Sequence, residues 1–460
     1  MVASSFPRYP GDIAGTFVAS LAQALRARGH EIVVLAPWDA DVTRDDSKVF
    51  KNPLSLSLSK AKRRGSTSRS DSEESSGRSG SEEPSGSMNS MSSPRAANHI
   101  VKQSHGSTDV PVQWFGYSPF ASIQPMGYGK ALENDQRLRW SAVVCAPAYL
   151  VSGTANLLRL IWELRIDVIH AHWLLPNGPV GLLASKLSGR PLVMTLHGSD
   201  TYLAKRNGGL RWLGRQCLEG ASVVTACSPD LAEDALSLGA RKDSIRVIPW
   251  GADPSRFGHG DPSVWRRRLD IPSGAPVIVA VGRMVAKKGF SFLVDAFAEV
   301  SAIHRDAMLV IGGDGPERER LIARTAVSSL AGHVRFPGRI PWESMPDFLA
   351  MADIVAVPSV RDAEGNQDGL PTVALEAMAA GKPLVASDLA GLPLVVEHGV
   401  TGMLAPSGDA EALAAALIDL LGNPPLRCAF GRAARRRVEE TLNWDAVARA
   451  YEAVYQEALA

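Results

Sequence analysis

The strongest constraint on how this chain folds is a rhythm of short apolar runs, each followed by a helix-period stretch, that occurs in both halves. In the first half "VPVQWFGY", "IDVIHAH", "PLVMTLHG" and "ASVVTACS" read as strands, with "NLLRLIWEL" and "VGLLASKLSG" as helices between them. In the second, "APVIVAVGR", "AMLVIGGDG", "HVRFPG", "DIVAVPS", "PLVAS" and "TGMLAP" alternate with "GFSFLVDAFAEVSAI", "PDFLAMA" and "TVALEAMAAG". Such runs suit strands covered on both faces by helices, as in a parallel sheet. The expected fold class is α/β, with two Rossmann-like, doubly wound parallel-sheet domains facing a cleft. Turn residues gather in "VIPWGADPSRF", so the expected domains are residues 1–250 and 251–435. Ligands in such sheets bind beyond the carboxyl ends of the strands.

Two stretches break the rhythm. At the start, a glycine loop with Gly11 and Gly15 leads into a helix over 15–28 and a strand over Ile32 to Ala36. Only Met1 to Ser4 precedes that loop, so the first strand is either stunted or begins upstream. From Ser59 to Arg95, 14 of 37 residues are serine, too few of the rest being apolar to offset the entropy of ordering. A disordered insertion over about 45–108 is therefore expected within the first domain. Over the whole chain 49 basic residues nearly balance 48 acidic ones, which gives no footprint for nucleic acid. The four cysteines are far apart and form no Cys-x-x-Cys pair, arguing against a disulfide scaffold or zinc site. No apolar run reads as long enough to span a bilayer, so a soluble or peripheral, cytoplasmic protein is expected.

The candidate chemistry lies at strand ends. In "VGRMVAKKGF", Arg283 follows a strand, and Lys287 and Lys288 precede a helix, an arrangement fit for a diphosphate or equally for a solvated basic loop. In "QDGLPTVALEAMAAGKP", Thr372 reads as the N-cap of a helix over 373–380. Gly369 permits close approach of a ligand; Leu370 and Thr372 can aim N–H groups at an anion, whereas Pro371 has none. Glu376, one turn in, suits two adjacent sugar hydroxyls or simply favours the helix dipole. In "TLHGSD", His197 at a strand end is a polar contact, an acid/base or a structural histidine. His170 and His172 have metal-pair spacing but no third ligand near, and read as strand packing. "PGDIAG" and "IGGDGPERE" both lack G-x-G-x-x-G, and no Walker motif is present, so dehydrogenase and P-loop readings fall.

Taken in order, Gly15, "HGSD", "GRMVAKKGF", "GGDGP", "FPGRI" and "DGLPTVALEAMAAGKP" resemble the retaining glycosyltransferases of family 4. The resemblance covers nearly the whole chain outside the Ser-rich insertion. It implies the glycosyltransferase-B fold, with residues 436–460 as a helix returning to the first domain. It implies further that Arg283 and Lys288 bind a donor diphosphate, Glu376 the ribose, and the backbone around Ile340 the nucleobase. Asp368 with Gly369, Leu370, Pro371 and Thr372 would grip the donor sugar and phosphate. His197 would meet the sugar near its anomeric carbon, and Gly15 would let the first domain approach donor phosphate and acceptor. The family's acid pair is usually Glu-x7-Glu; here Asp368 is one methylene shorter, which bears on which sugar fits. The implied reaction is metal-independent, retaining hexosyl transfer from a nucleoside diphosphate sugar to an acceptor hydroxyl, without cofactor.

The implied partners are a nucleotide sugar and a sugar or lipid-linked sugar acceptor. "TYLAKRNGGLRWLGRQCLEG" mixes Lys205, Arg206, Arg211 and Arg215 with Trp212, and offers a peripheral contact with the inner face of the cytoplasmic membrane or a plain amphipathic surface. The rival readings are a nucleotide-sugar epimerase or phosphorylase, a non-catalytic nucleotide-sugar binding protein, and a glycosidase using Asp368 and Glu376. The last would need both carboxylates to flank the scissile bond.

Overall fold

The computed structural model describes residues 1–8, 12, 14–39, 100–101, 110–118, 124–127, 130, 132–133, 137–326 and 330–460. Most of the Ser-rich insertion and residues 9–11 and 13 of the N-terminal glycine loop lie outside these. Two of the insertion's residues do not: Ile100–Val101 pairs antiparallel with Val112 and Gln113, extending the first sheet by a short edge strand where disorder was expected.

The strands of the first half are β1 (Val34–Pro37), β2 (Ile100–Val101), β3 (Val112–Phe115), β4 (Leu132–Glu133), β5 (Arg137–Leu138), β6 (Ile169–His172), β7 (Leu192–Leu196), β8 (Val223–Ala226) and β9 (Ile245–Val247). β4 and β5 form a separate small hairpin. Two groups, β1-β3-β2 and β6-β7-β8-β9, are stitched together by the stub at the start of the chain. Val2 bridges in parallel to Leu35 of β1 on one side and to Ala171 of β6 on the other. Its N–H donates to His170 O at 2.8 Å, and its own carbonyl accepts from His172 N–H at 2.9 Å. On the β1 side Leu35 N–H also donates to Met1 O at 2.8 Å and Ala3 N–H to Leu35 O at 3.0 Å, so Met1, Val2 and Ala3 together take the place of a central strand.

The second half holds β10 (Val277–Val281), β11 (Met308–Gly312), β12 (Val334–Gly338), β13 (Ile354–Val357), β14 (Leu384–Asp388) and β15 (Gly402–Pro406). They form one sheet in the order β12-β11-β10-β13-β14-β15, parallel throughout. The chain moves outward from β10 to β12, then returns beside β10 and moves outward the other way. Carboxyl ends diverge between β10 and β13, the place where doubly wound sheets open a crevice. The strands that face helices on both sides are apolar throughout; Val277 to Ala280 and Leu309 to Ile311 are fully buried.

The helix foreshadowed by "NLLRLIWEL" is much longer than expected and runs Trp140–Leu164, with Pro147 inside it. By length and composition alone it could cross a membrane, which corrects the expectation that no segment could. One face, with Tyr149, Leu157, Leu160 and Ile161, is buried in the core of the first half. The other exposes Trp140, Val143, Val144, Val151 and Trp162. The chain ends in the helix Trp444–Leu459, which crosses back onto the first half. There Tyr451 and Val447 pack with Leu21 and Leu25 of the helix Thr16–Ala27, and Arg28 forks onto Glu452.

Candidate functional site

Loops at the carboxyl ends of β10, β11 and β12 are tied to one another before they meet anything else. Gly282 N–H donates to Gly312 O at 3.0 Å, Met284 N–H to Asp314 O at 2.8 Å, and Gly313 N–H to Gly338 O at 2.7 Å. The "GGDGP" motif is therefore loop-to-loop clamping. Beyond β13, the helix Thr372–Ala379 points its N-terminus the same way. Together these segments form one wall of a cleft of about 1380 Å³ whose other wall comes from the first half.

Of the residues singled out from the sequence, Arg283, Lys288, Ile340, Thr372 and Glu376 line this cleft. Gly15 is not itself a lining residue, although its neighbours Ala14 and Thr16 are. It takes φ 67° at the start of its helix, and a Cβ there would fall 2.2 Å from Ser5 O. Asp368, Gly369, Leu370, Pro371 and His197 are not among the lining residues.

Asp368 is instead an internal counter-ion. Its Oδ1 lies 3.2 Å from Lys287 Nζ and its Oδ2 lies 2.6 Å from Lys288 Nζ. Burial opposes its ionisation, but Lys288 and Lys287 outweigh that and hold the carboxyl well below the usual carboxylate range. Gly369 approaches protein where close approach of a ligand was expected: a Cβ there would fall 2.5 Å from Leu231 Cδ1 and 2.7 Å from Cys227 Sγ, across the seam between the two halves. Leu370 is buried in the core that spans that seam. Pro371, at φ −63°, takes the helix cap expected of Thr372, which becomes the first helical residue. The Thr372 hydroxyl bonds to Glu376.

Glu376 is pushed up to about 7 by burial, an effect partly offset by that hydroxyl and by the charges of Arg256 and Lys288. Arg256 itself donates to Trp342 O at 2.9 Å and stacks over the Trp342 ring at 4.3 Å. Ile340 and Trp342 follow β12 and line the same cleft as Glu376.

On the opposite wall, His197 sits behind Trp173. Its ring stacks against Trp173 at 4.2 Å and against Trp250 at 5.2 Å, with Phe17 at 5.0 Å. Burial, then the neighbouring His172, holds its pKa well below the ordinary value, so the imidazole is neutral. Asp200 shapes this corner by accepting N–H bonds from Leu174, His197 and Gly198. His170 is bonded through Nδ1 to Tyr455 and through Nε2 to Thr195, and lies ring to ring with His172. Among the described residues no group of three or more His, Cys, Asp or Glu is placed to hold a metal ion.

Sequence reasoning missed the charged floor of this wall. Arg8 pairs with Asp12 at 2.6 Å and with Asp39 at 2.8 Å, all three nearly buried, and Lys130 also pairs with Asp39. Only the glycine turn around these residues carried a signal. Trp173 and Trp342 gave none.

The chain matches "Glycosyl transferases group 1" over residues 262–437 and "Glycosyl transferase 4-like domain" over residues 124–251. It is 33% identical over 338 residues to a D-inositol 3-phosphate glycosyltransferase of Acidothermus cellulolyticus, spanning 68% of this chain and 73% of that one. It is 30% identical over 360 residues to a GDP-mannose-dependent alpha-(1-6)-phosphatidylinositol monomannoside mannosyltransferase of Mycobacterium tuberculosis, spanning 76% and 89%. Its fold is that of HepE from Anabaena, solved in complex with UDP, at a TM-score of 0.66 and 19% identity, covering 97% of each chain.

Proposed function

Because the chain belongs to the group 1, family 4 glycosyltransferases and has their glycosyltransferase-B fold, we propose that it transfers a hexosyl group from a nucleoside diphosphate sugar to an acceptor hydroxyl, with retention at the anomeric carbon. The observation that carries the reading is the convergence of Arg283, Lys288, Thr372 and Glu376 in one cleft at the switch point of the second sheet. A fork, a point charge and the free N–H groups of a helix start suit two phosphates. Glu376 suits the ribose hydroxyls, and the apolar side chains of Ile340 and Trp342 beside the cleft suit a flat base.

On this reading the glycosyl–phosphate bond breaks with oxocarbenium character, and Arg283, Lys288 and the helix start meet the charge on the leaving diphosphate. The acceptor hydroxyl attacks from the same face and passes its proton to the departing phosphate oxygen. No carboxylate is the nucleophile, and neither metal nor cofactor enters. Asp368 acts from beneath, through the lysines. His197 reaches the sugar once the Trp173 ring turns aside.

The reaction would take place in the cytoplasm, on a sugar or lipid-linked sugar acceptor, with the protein resting peripherally on the membrane. Apolar exposure on Trp140–Leu164 supports that contact more than the basic stretch does: Lys205 is paired with Asp234, and Arg206 donates to Tyr202 and to Glu364 O across the seam. The test of the donor site is calorimetric titration with UDP-, GDP- and ADP-sugars. One nucleotide class should bind, and Arg283→Ala and Lys288→Ala should each lose about tenfold or more in affinity. Absence of binding by every class, or unchanged affinity in both variants, would refute it.

A further inference from the structure

Lys287 and Lys288 are neighbours on one tight turn, Ala286–Lys288, but they face different surroundings. Lys288 lines the cleft; Lys287 does not, and its side chain is only 8% exposed. A buried ammonium is costly unless a carboxylate or other partner stands close. Here Asp368 stands between the two lysines, giving one carboxylate oxygen to each. Its position alone implies a conflict. The lysine that faces the cleft is held by an internal acid, while a second lysine that cannot reach the cleft holds the same acid from behind.

We propose that Lys287 is a positioning residue of the donor site: it retains Asp368 as a charged partner so that Lys288 can be released to the donor diphosphate. The inference rests on the donor reading above. If Lys288 left Asp368 without Lys287 in place, a nearly buried carboxylate would be stranded, and that cost would be subtracted from the affinity for the diphosphate. With Lys287 in place the carboxylate stays paired and the transfer of Lys288 is close to balanced. Charge gives the same answer. Arg283, Lys287 and Lys288 against Asp368 leave two positive charges, matching the two negative charges of a diphosphate diester; removing Lys287 leaves one. The short aspartate side chain fits this role, since it sits back against the turn within reach of both ammonium groups.

The experiment compares nucleotide-sugar affinity, by calorimetry with UDP-glucose, GDP-mannose and ADP-glucose, for the full chain and for Lys287→Met, Lys287→Gln and Lys287→Met/Asp368→Asn. Each single variant should weaken the best-bound nucleotide sugar by about tenfold or more. The double variant, which has no carboxylate left to capture Lys288, should bind within about threefold of the unaltered chain. A residue that merely props up the loop would show the loss without the recovery. Wild-type affinity in both single variants overturns the proposal, and so does a folded double variant that fails to recover. Should one single variant not fold, the other supplies the loss against which recovery in the double variant is read. If the unaltered chain binds none of the three nucleotide sugars, the donor reading falls and takes this inference with it; if it binds and the single variants bind equally well, only the inference falls.

Discussion

Glu376 is pushed from 4.5 to about 7 because its carboxylate is buried at the cleft. The folded chain therefore holds this proton more tightly than the unfolded one. The group contributes no loss of stability below about 4.5 and a growing loss as pH rises towards 7, over which window the folded state binds more protons. If the ionised form accepts the ribose hydroxyls, affinity for a nucleotide sugar rises as pH passes through about 7. The diphosphate of a nucleotide sugar does not titrate in that range, so the effect belongs to the protein. Glu376→Gln should flatten this dependence and lose roughly 1.5–3 kcal/mol of binding at high pH, read by calorimetry across the neutral range. A dependence unchanged in the variant would assign the titration elsewhere. Arg283, Lys288 and Glu376 were legible because charged side chains stood directly after apolar runs or at a helix start. The burial of Lys287 was not, since adjacent residues on one turn look alike in sequence. Nor was the pairing of Arg8 with Asp39, whose partners are 31 residues apart, nor the pair of indoles that encloses His197.

Among the elements, the parallel strands were the most legible, being apolar on both faces. The helix Trp140–Leu164 was the least. Its first three-quarters, from Trp140 to Leu158, carry no charge, so nothing marks a polar face, and Pro147 reads as a break. A stunted strand at Met1 to Ser4 was one of two expected alternatives; its place between β1 and β6 was not legible, because three residues are too few to show a period. The exposed stripe of that helix borders the cleft, which Val143, Ala146, Pro147 and Leu150 line from the same element. Introducing charge there by Val144→Glu/Val151→Glu should reduce sedimentation with anionic liposomes about tenfold, with the melting temperature unchanged because both positions are exposed. Binding equal to that of the unaltered chain would remove this helix from any membrane contact. Reversal of Arg211 and Arg215, by contrast, is expected to have the smaller effect, since Arg215 already pairs with Glu219 and Arg211 leans on Ser237 O.

Across the whole molecule, the two halves meet at a seam of small residues. Gly391 N–H donates to Gly369 O at 2.8 Å, and a Cβ on Gly391 would fall 2.7 Å from that same oxygen and 3.2 Å from Cys227 O. Gly391→Ala should cost about 1–3 kcal/mol in denaturant unfolding and raise the KM for the donor, because the Gly369–Thr372 turn would have to shift. A second tie is the returning helix, whose fully buried Tyr451 contacts the hydroxyls of Thr195 and Thr225. Tyr451→Ala should destabilise the chain by about 3–5 kcal/mol. Sequence order foretold that a closing helix would cross back, through the family resemblance. It could not foretell the seam, which depends on which glycines of separate loops face one another.

The central claim is retaining transfer from a nucleotide sugar held by Arg283, Lys288 and Glu376. Its most direct test is proton NMR of the reaction with an α-linked nucleotide sugar, followed from the first minutes. The account predicts release of the nucleoside diphosphate together with a sugar, transferred or hydrolysed, that first appears as the α-anomer, and loss of the signal in Lys288→Ala. A β-anomer formed first, or a sugar that is isomerised while still attached to its nucleotide, would contradict it.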